Sequence, residues 1–251
     1  MSDTAKTIKS LELDYIKFMG IKDFPNYCLT TKELTQCAID AKGFESVASV
    51  NYTADSDTHY LCVSSNLLTS CHLLFHEFTH ILDTEMYAKQ DKIKHTYIFG
   101  FTEYHASQIE FLQLLGAKSK DDTISFSMND KIESFSITTS VLDYITTKQN
   151  LAIELFERNE FKTDFATFST AIGVLHNYWG LRSICEMYAI DYEEVIKNDA
   201  FLNVMSSFHF AKLNNLMHGW FDSKKIDECM AVYSTVVNNL IRIYKLLWVI
   251  V

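Results

Sequence analysis

The chain has 251 residues, enough to bury a sizeable core, and its 48% apolar and 22% charged residues place it in the globular class. A net charge of -10, with no clustering of Lys and Arg, argues against a phosphate-backbone footprint, so no nucleic-acid partner is expected. A single proline, Pro25, and seven glycines leave little material for sharp turns and predict long helices.

The first twenty residues set Lys6, Lys9, Glu12, Asp14 and Lys17 among their apolar positions and lack the apolar centre of a secretory signal. Cys28, Cys37, Cys62, Cys71, Cys185 and Cys229 form no CxxC pair. Together these features predict a cytoplasmic protein with reduced core thiols. Residues 226–251 are the most apolar stretch, yet Asn238, Asn239, Arg242 and Lys245 interrupt it, which predicts a buried helix and no membrane partner.

In chain order, periodicity predicts a helix over residues 4–19, and the capping-box spacing of Thr30 and Glu33 predicts a short one to about residue 42. Residues 46–52 and 58–64 read as a β-hairpin around the turn formers at 53–57. A helix follows from residue 69 or 70 to about 88, then a polar stretch at 89–94 and a second helix near 101–115 that closes on Gly116. Residues 118–131 read as a loop or small hairpin and a candidate boundary. Helices are predicted beyond it at 136–159, 164–189, 193–199 (capped by Asp191 and Glu194), 201–220 and 224–251. The fold class expected is mainly α, of the α+β kind, with a small β-sheet or hairpin in residues 1–117 and a helical region, residues 131–251, packing on it. The aromatics Phe156, Phe161, Phe165, Phe168, Tyr178 and Trp179 of that region are expected to pack in its core.

The chemistry centres on His76-Glu77-Phe78-Thr79-His80. Residues four apart share one face of a helix, so His76 and His80 can offer ring nitrogens to one metal ion, and two imidazoles with a carboxylate suit Zn2+ best. Glu77 is turned off that face, where it is placed to deprotonate a zinc-bound water and to return the proton to a leaving amine. A catalytic zinc takes a third protein ligand. A metzincin would carry Gly and His at positions 83 and 86, which here are Asp83 and Met86. Glu103, 23 residues beyond His80, is the favoured third ligand, because the small residues Ala106 and Ser107 further along its helix would let the two helices approach. Its bland alternative is a first-turn carboxylate favouring the helix dipole. His105, Glu110 and His95 are the rival ligands, and Asp83 is a candidate to orient a ligand histidine. His176, Tyr178, His209 and His218 could supply a further donor, and nothing in the sequence selects among them.

The segment His76-Glu77-Phe78-Thr79-His80-Ile81-Leu82, followed by Glu103-Tyr104-His105-Ala106 and Phe111-Leu112-Gln113-Leu114-Leu115, resembles the gluzincin pattern. It is most similar to the ImmA/IrrE-type metallopeptidases over about residues 60–115. The resemblance implies a zincin-like catalytic half and an active site between two helices. It also implies an edge strand, residues 58–64, that aligns a peptide substrate, and cleavage of an intracellular protein. The family's usual glycine before the second histidine is Thr79 here. The reading is a zinc-dependent metallopeptidase acting on a peptide or protein, with metal ligands His76, His80 and Glu103 and catalytic Glu77. The alternative is a non-catalytic regulatory or binding protein with a structural or vestigial zinc site.

Overall fold

The computed structural model describes residues 3–32, 48–64, 71–134, 137–194, 197 and 199–246. Helix α1 (Asp3–Met19) precedes strands β1 (Tyr27–Lys32), β2 (Ala48–Thr53) and β3 (Thr58–Ser64), then helices α2 (Cys71–Tyr87) and α3 (Lys92–Leu114). Strands β4 (Lys131–Ser134) and β5 (Ile137–Ser140) pair with each other. Helices α4 (Val141–Glu157), α5 (Phe165–Tyr188), α6 (Asp199–Leu202), α7 (Ser207–Leu216) and α8 (Ser223–Tyr244) complete the order, with a 3-10 turn at Asn159–Lys162. A mixed α/β region is thus followed by a mostly helical one, and the chain is mainly α. Two compact units divide it: Met1–His95 with Ile109–Thr123 and Ile132–Thr138, and Thr96–Gln108 with Ile124–Lys131 and Thr139–Val251.

In the first unit the sheet order is β1-β3-β2, with β1 parallel and β2 antiparallel to β3. Residues 58–64 therefore form the central strand, paired on both sides, and not the edge strand expected. Leu61 and Val63 are buried, as a central strand demands. Thr30, expected to cap a helix, lies within β1 opposite Cys62, and the remainder of the helix expected to residue 42 lies outside the described residues. Leu29 and Thr30 face a strand partner at every position, and the ladder outcompetes a local cap. Helix α1 docks on α2 through aromatic contacts: Tyr15 meets Phe75 edge-on at 5.3 Å and Phe78 at 5.4 Å, and Phe18 meets Phe75 at 5.3 Å.

In the second unit α5 covers the helix expected over 164–189, and Asp164 caps it by accepting from Thr167 N. The helix expected from residue 136 starts only at Val141, because residues 137–140 pair with β4 and Ser140 then caps α4 by accepting from Asp143 N. Asp191 and Glu194 open no helix: Tyr192 to Glu194 are irregular. Asp191 instead accepts from Ser127 Oγ at 2.7 Å and Met128 N at 2.8 Å, while Glu194 pairs with the buried Arg182 at 3.1 Å. The helix expected over 201–220 is two, α6 and α7, because Ser206 caps a fresh start by accepting from His209 N. Cys185 and Cys229 are core thiols as expected, but Cys28 is exposed and Cys62 and Cys71 are half-buried. Among the described residues no helix is long and apolar enough to cross a membrane.

Candidate metal centre

Helix α2 buries Leu74, Phe75, Phe78, Ile81 and Leu82 in the core and leaves His76, Glu77 and His80 half-buried on another face. This follows from the 3.6-residue period, which puts the apolar positions and the His pair on different sides. The two imidazoles are one turn apart, their centroids separated by 4.7 Å and their planes by 74°.

Helix α3 begins nine residues earlier than the sequence suggested, at Lys92, where Asp91 accepts hydrogen bonds from Ile93 N and Lys94 N, both at 3.0 Å. The lysines at 92 and 94 lie on an exposed first turn, and Gly100 sits mid-helix; both had concealed the helical pattern. Glu103 is consequently far from the helix start, and the first-turn dipole explanation for it does not hold. Gly116, with φ +83°, follows the helix end as expected.

The ligand atoms of His76, His80 and Glu103 all lie within 4.8 Å of one another, and each residue is half-buried. Among the described residues this is the one group of His, Cys, Asp or Glu with such spacing. His95 and His105, rivals for the third position, are engaged elsewhere: His95 packs on Tyr52 at 5.3 Å and His105 stacks on Phe101 at 5.5 Å. Glu110, the remaining rival, lies against His76. Its Oε2 lies 2.8 Å from His76 Nδ1, with the Glu110 side chain only 4% exposed. A carboxylate only accepts, so Nδ1 carries the proton and Nε2 keeps the lone pair a metal requires. Two neutral imidazole nitrogens and a carboxylate oxygen, half-buried and converging, fit a divalent metal ion of borderline softness.

Ser107 does not ease the approach of α3 to α2; its hydroxyl bonds Asn177 Oδ1 at 2.9 Å, and its Cβ stands 2.9 Å from where a Cβ on Gly180 would be. Asp83 is buried on the core side of α2, where its charge helps raise the phenol pKa of Tyr15 after the larger effect of burial. Thr79 is explained locally: its hydroxyl donates to Phe75 O at 2.8 Å and accepts from Tyr15 at 3.1 Å. His176 is fully buried, donating from Nδ1 to Ile172 O, and burial pushes its pKa down to about 4, against the opposing effects of that bond and of the Glu103 charge. Sequence reasoning missed Glu110 as the partner of His76; its place on the face of Glu103, two turns further on, was the available signal. No family model matches the chain, and no curated protein or solved structure does either.

Proposed function

We propose that the chain is a zinc-dependent peptidase of the gluzincin type, similar to the ImmA/IrrE metallopeptidases, that hydrolyses a peptide bond in an intracellular protein or peptide. The observation that carries this reading is the convergence of His76, His80 and Glu103 to within 4.8 Å, with Glu77 on the turn between the two histidines. On this reading residues 1–117 supply the whole ligand set and the base. A bound zinc ion supplies Lewis acidity, polarising the scissile carbonyl and acidifying water. Glu110 holds His76 in the tautomer whose Nε2 binds. Glu77 takes the proton of the attacking water and delivers it to the departing amine, a role that needs a carboxylate beside the metal and not on it.

Metal analysis of the purified protein tests the first half: one equivalent of zinc, lost with a chelator and with His80→Ala. Glu77→Gln tests the second: it retains zinc and loses hydrolysis by at least about a hundredfold. A chain that binds no stoichiometric metal, or a Gln variant with full activity, overturns the reading.

A further inference from the structure

Among the described residues, three other than glycine take a positive φ, and two of them are bonded to each other. Asp57, at φ 49°, closes the turn between β2 and β3, and Gln90, at φ 58°, lies in the short connection that joins α2 to α3. Gln90 Nε2 donates to Asp57 Oδ2 at 3.1 Å. Glycine would enter the left-handed region freely and glutamine does not, so Gln90 is explained by what its amide and its backbone hold.

Tyr52 stands at the centre of this corner. Its hydroxyl donates to Asp57 Oδ1 at 2.7 Å and accepts from Gln90 N at 2.8 Å. Its ring packs at 4.6 Å on His59, its partner across the β2–β3 ladder, and at 5.3 Å on His95, near the start of α3. Two lysines brace the same corner: Lys92 Nζ reaches Asp55 Oδ2 at 2.8 Å, and Lys89 Nζ lies 3.5 Å from Asp57 Oδ2. The β2–β3 turn thus grips the end of α2 and the start of α3 at once.

Those two helices carry the candidate metal ligands. The run of α3 from Lys92 to Glu103 is about 16 Å long, so a change of about 5° in its direction at this corner moves Glu103 by about 1.4 Å. A ligand set tolerates about 0.5 Å. The pair of helices is closed a second time where Glu110 meets His76, so Glu103 lies on a span of helix fixed on both sides of it.

Resting on the zinc-peptidase reading, we propose that Tyr52 is a positioning residue: with Asp57 and Gln90 it locks the connection between α2 and α3 and so keeps Glu103 within reach of the ion held by His76 and His80. It acts through the backbone of Gln90. A hydroxyl that only stabilised the β2–β3 hairpin would leave the ligand geometry unchanged.

Cobalt(II), whose visible absorption reports the geometry of its ligands, replaces zinc in the full chain as the probe. Tyr52→Phe keeps the ring between His59 and His95 and removes the hydroxyl. Zinc affinity should fall about tenfold, and the cobalt bands should shift in position and intensity. Tyr15→Phe, which removes the hydrogen bond to Thr79 on the α1 side of α2, leaves both as in the wild type. Asp57→Asn keeps an acceptor for Tyr52 and tolerates the positive φ, so its spectrum stays that of the wild type, whereas Asp57→Ala behaves as Tyr52→Phe does. Wild-type zinc affinity and an unshifted spectrum in Tyr52→Phe overturn the positioning role and leave the peptidase reading standing. Equal losses of affinity in Tyr52→Phe and Tyr15→Phe, with an unshifted spectrum, also overturn it, because the hydroxyl would then contribute stability alone. Failure of the wild type to bind either ion overturns the peptidase reading itself, and the positioning role with it.

Discussion

The Nδ1 of His76 and the Oε2 of Glu110 are 2.8 Å apart, although 34 residues separate them in the chain. This pair joins α2 to α3 through the Nδ1 side of the His76 ring, so the geometry of the candidate metal site depends on a carboxylate outside the group of His76, His80 and Glu103. Glu110→Gln retains the shape and a hydrogen-bond acceptor but removes the charge. Its expected effect is a tenfold to hundredfold weaker zinc affinity, about 1.4 to 3 kcal/mol, measured by competition with a chromophoric chelator. Glu103→Gln, which removes a ligand charge outright, should weaken binding more. Equal affinities for Glu110→Gln and wild type would show that His76 does not need this partner.

Thr79 replaces the glycine of the resembling family, and the hydrogen bond from Tyr15 gives the reason. Helix α1 docks there, and the threonine supplies an acceptor that glycine lacks. Thr79→Gly should lower stability by about 2 kcal/mol, combining one lost buried hydrogen bond with the poorer helix propensity of glycine. Tyr15→Phe should lower it by about 1 kcal/mol. Urea denaturation measures both, and zinc affinity should be unmoved in either.

The two histidines were legible because their relation is local: four residues on one helix fix it before any tertiary structure is known. Glu103 was legible by its distance along the chain and its composition. The start of α3 was not, because Gly100 interrupts the apolar pattern, and the reason for that glycine is the Tyr233 ring, which comes from a helix more than a hundred residues away. The central position of β3 was likewise hidden, since its parallel partner β1 is identified only by a long-range pairing. Capping-box spacings misled twice, at Thr30 and at Asp191. In both places the side chain or backbone found a tertiary partner stronger than a local cap.

Gly180 and Gly173 occupy the same helix, α5, but predict different outcomes. A Cβ on Gly180 would come within 2.3 Å of the backbone oxygen of Tyr104, which cannot move without bending α3. A Cβ on Gly173 would meet the edge of the Phe99 ring at 3.2 Å and the carboxyl carbon of Glu103 at 3.6 Å, both on movable side chains. Gly180→Ala should therefore cost about 2 kcal/mol or more in stability. Gly173→Ala should cost less than about 1 kcal/mol and leave zinc affinity unchanged, because only the Phe99 ring must give way and the Glu103 carboxyl carbon stands at ordinary van der Waals distance. Thermal denaturation of the two apo variants and a zinc titration of Gly173→Ala check the contrast. A reversed order of stability would contradict the packing of α5 on α3.

Burial lowers the pKa of His176 to about 4, and it lowers those of His59 and His95 in the same direction. In the unfolded chain each imidazole takes up its proton near 6.5. Between about pH 6.5 and 4 the unfolded state therefore binds more protons than the folded one, and stability must rise with pH across that window. The contribution of His176 is complete above about pH 6.5 and is lost as pH falls towards 4, where it amounts to about 3 kcal/mol by the shift alone. Urea midpoints of the apo protein at pH 7, 6, 5 and 4.5 should decline steeply below pH 6.5. His176→Gln, which cannot charge, should be less stable at pH 7 yet show a shallower decline, the residual slope belonging to His59 and His95. A variant whose decline parallels the wild type would mean that His176 is protonated in the folded protein at mildly acid pH.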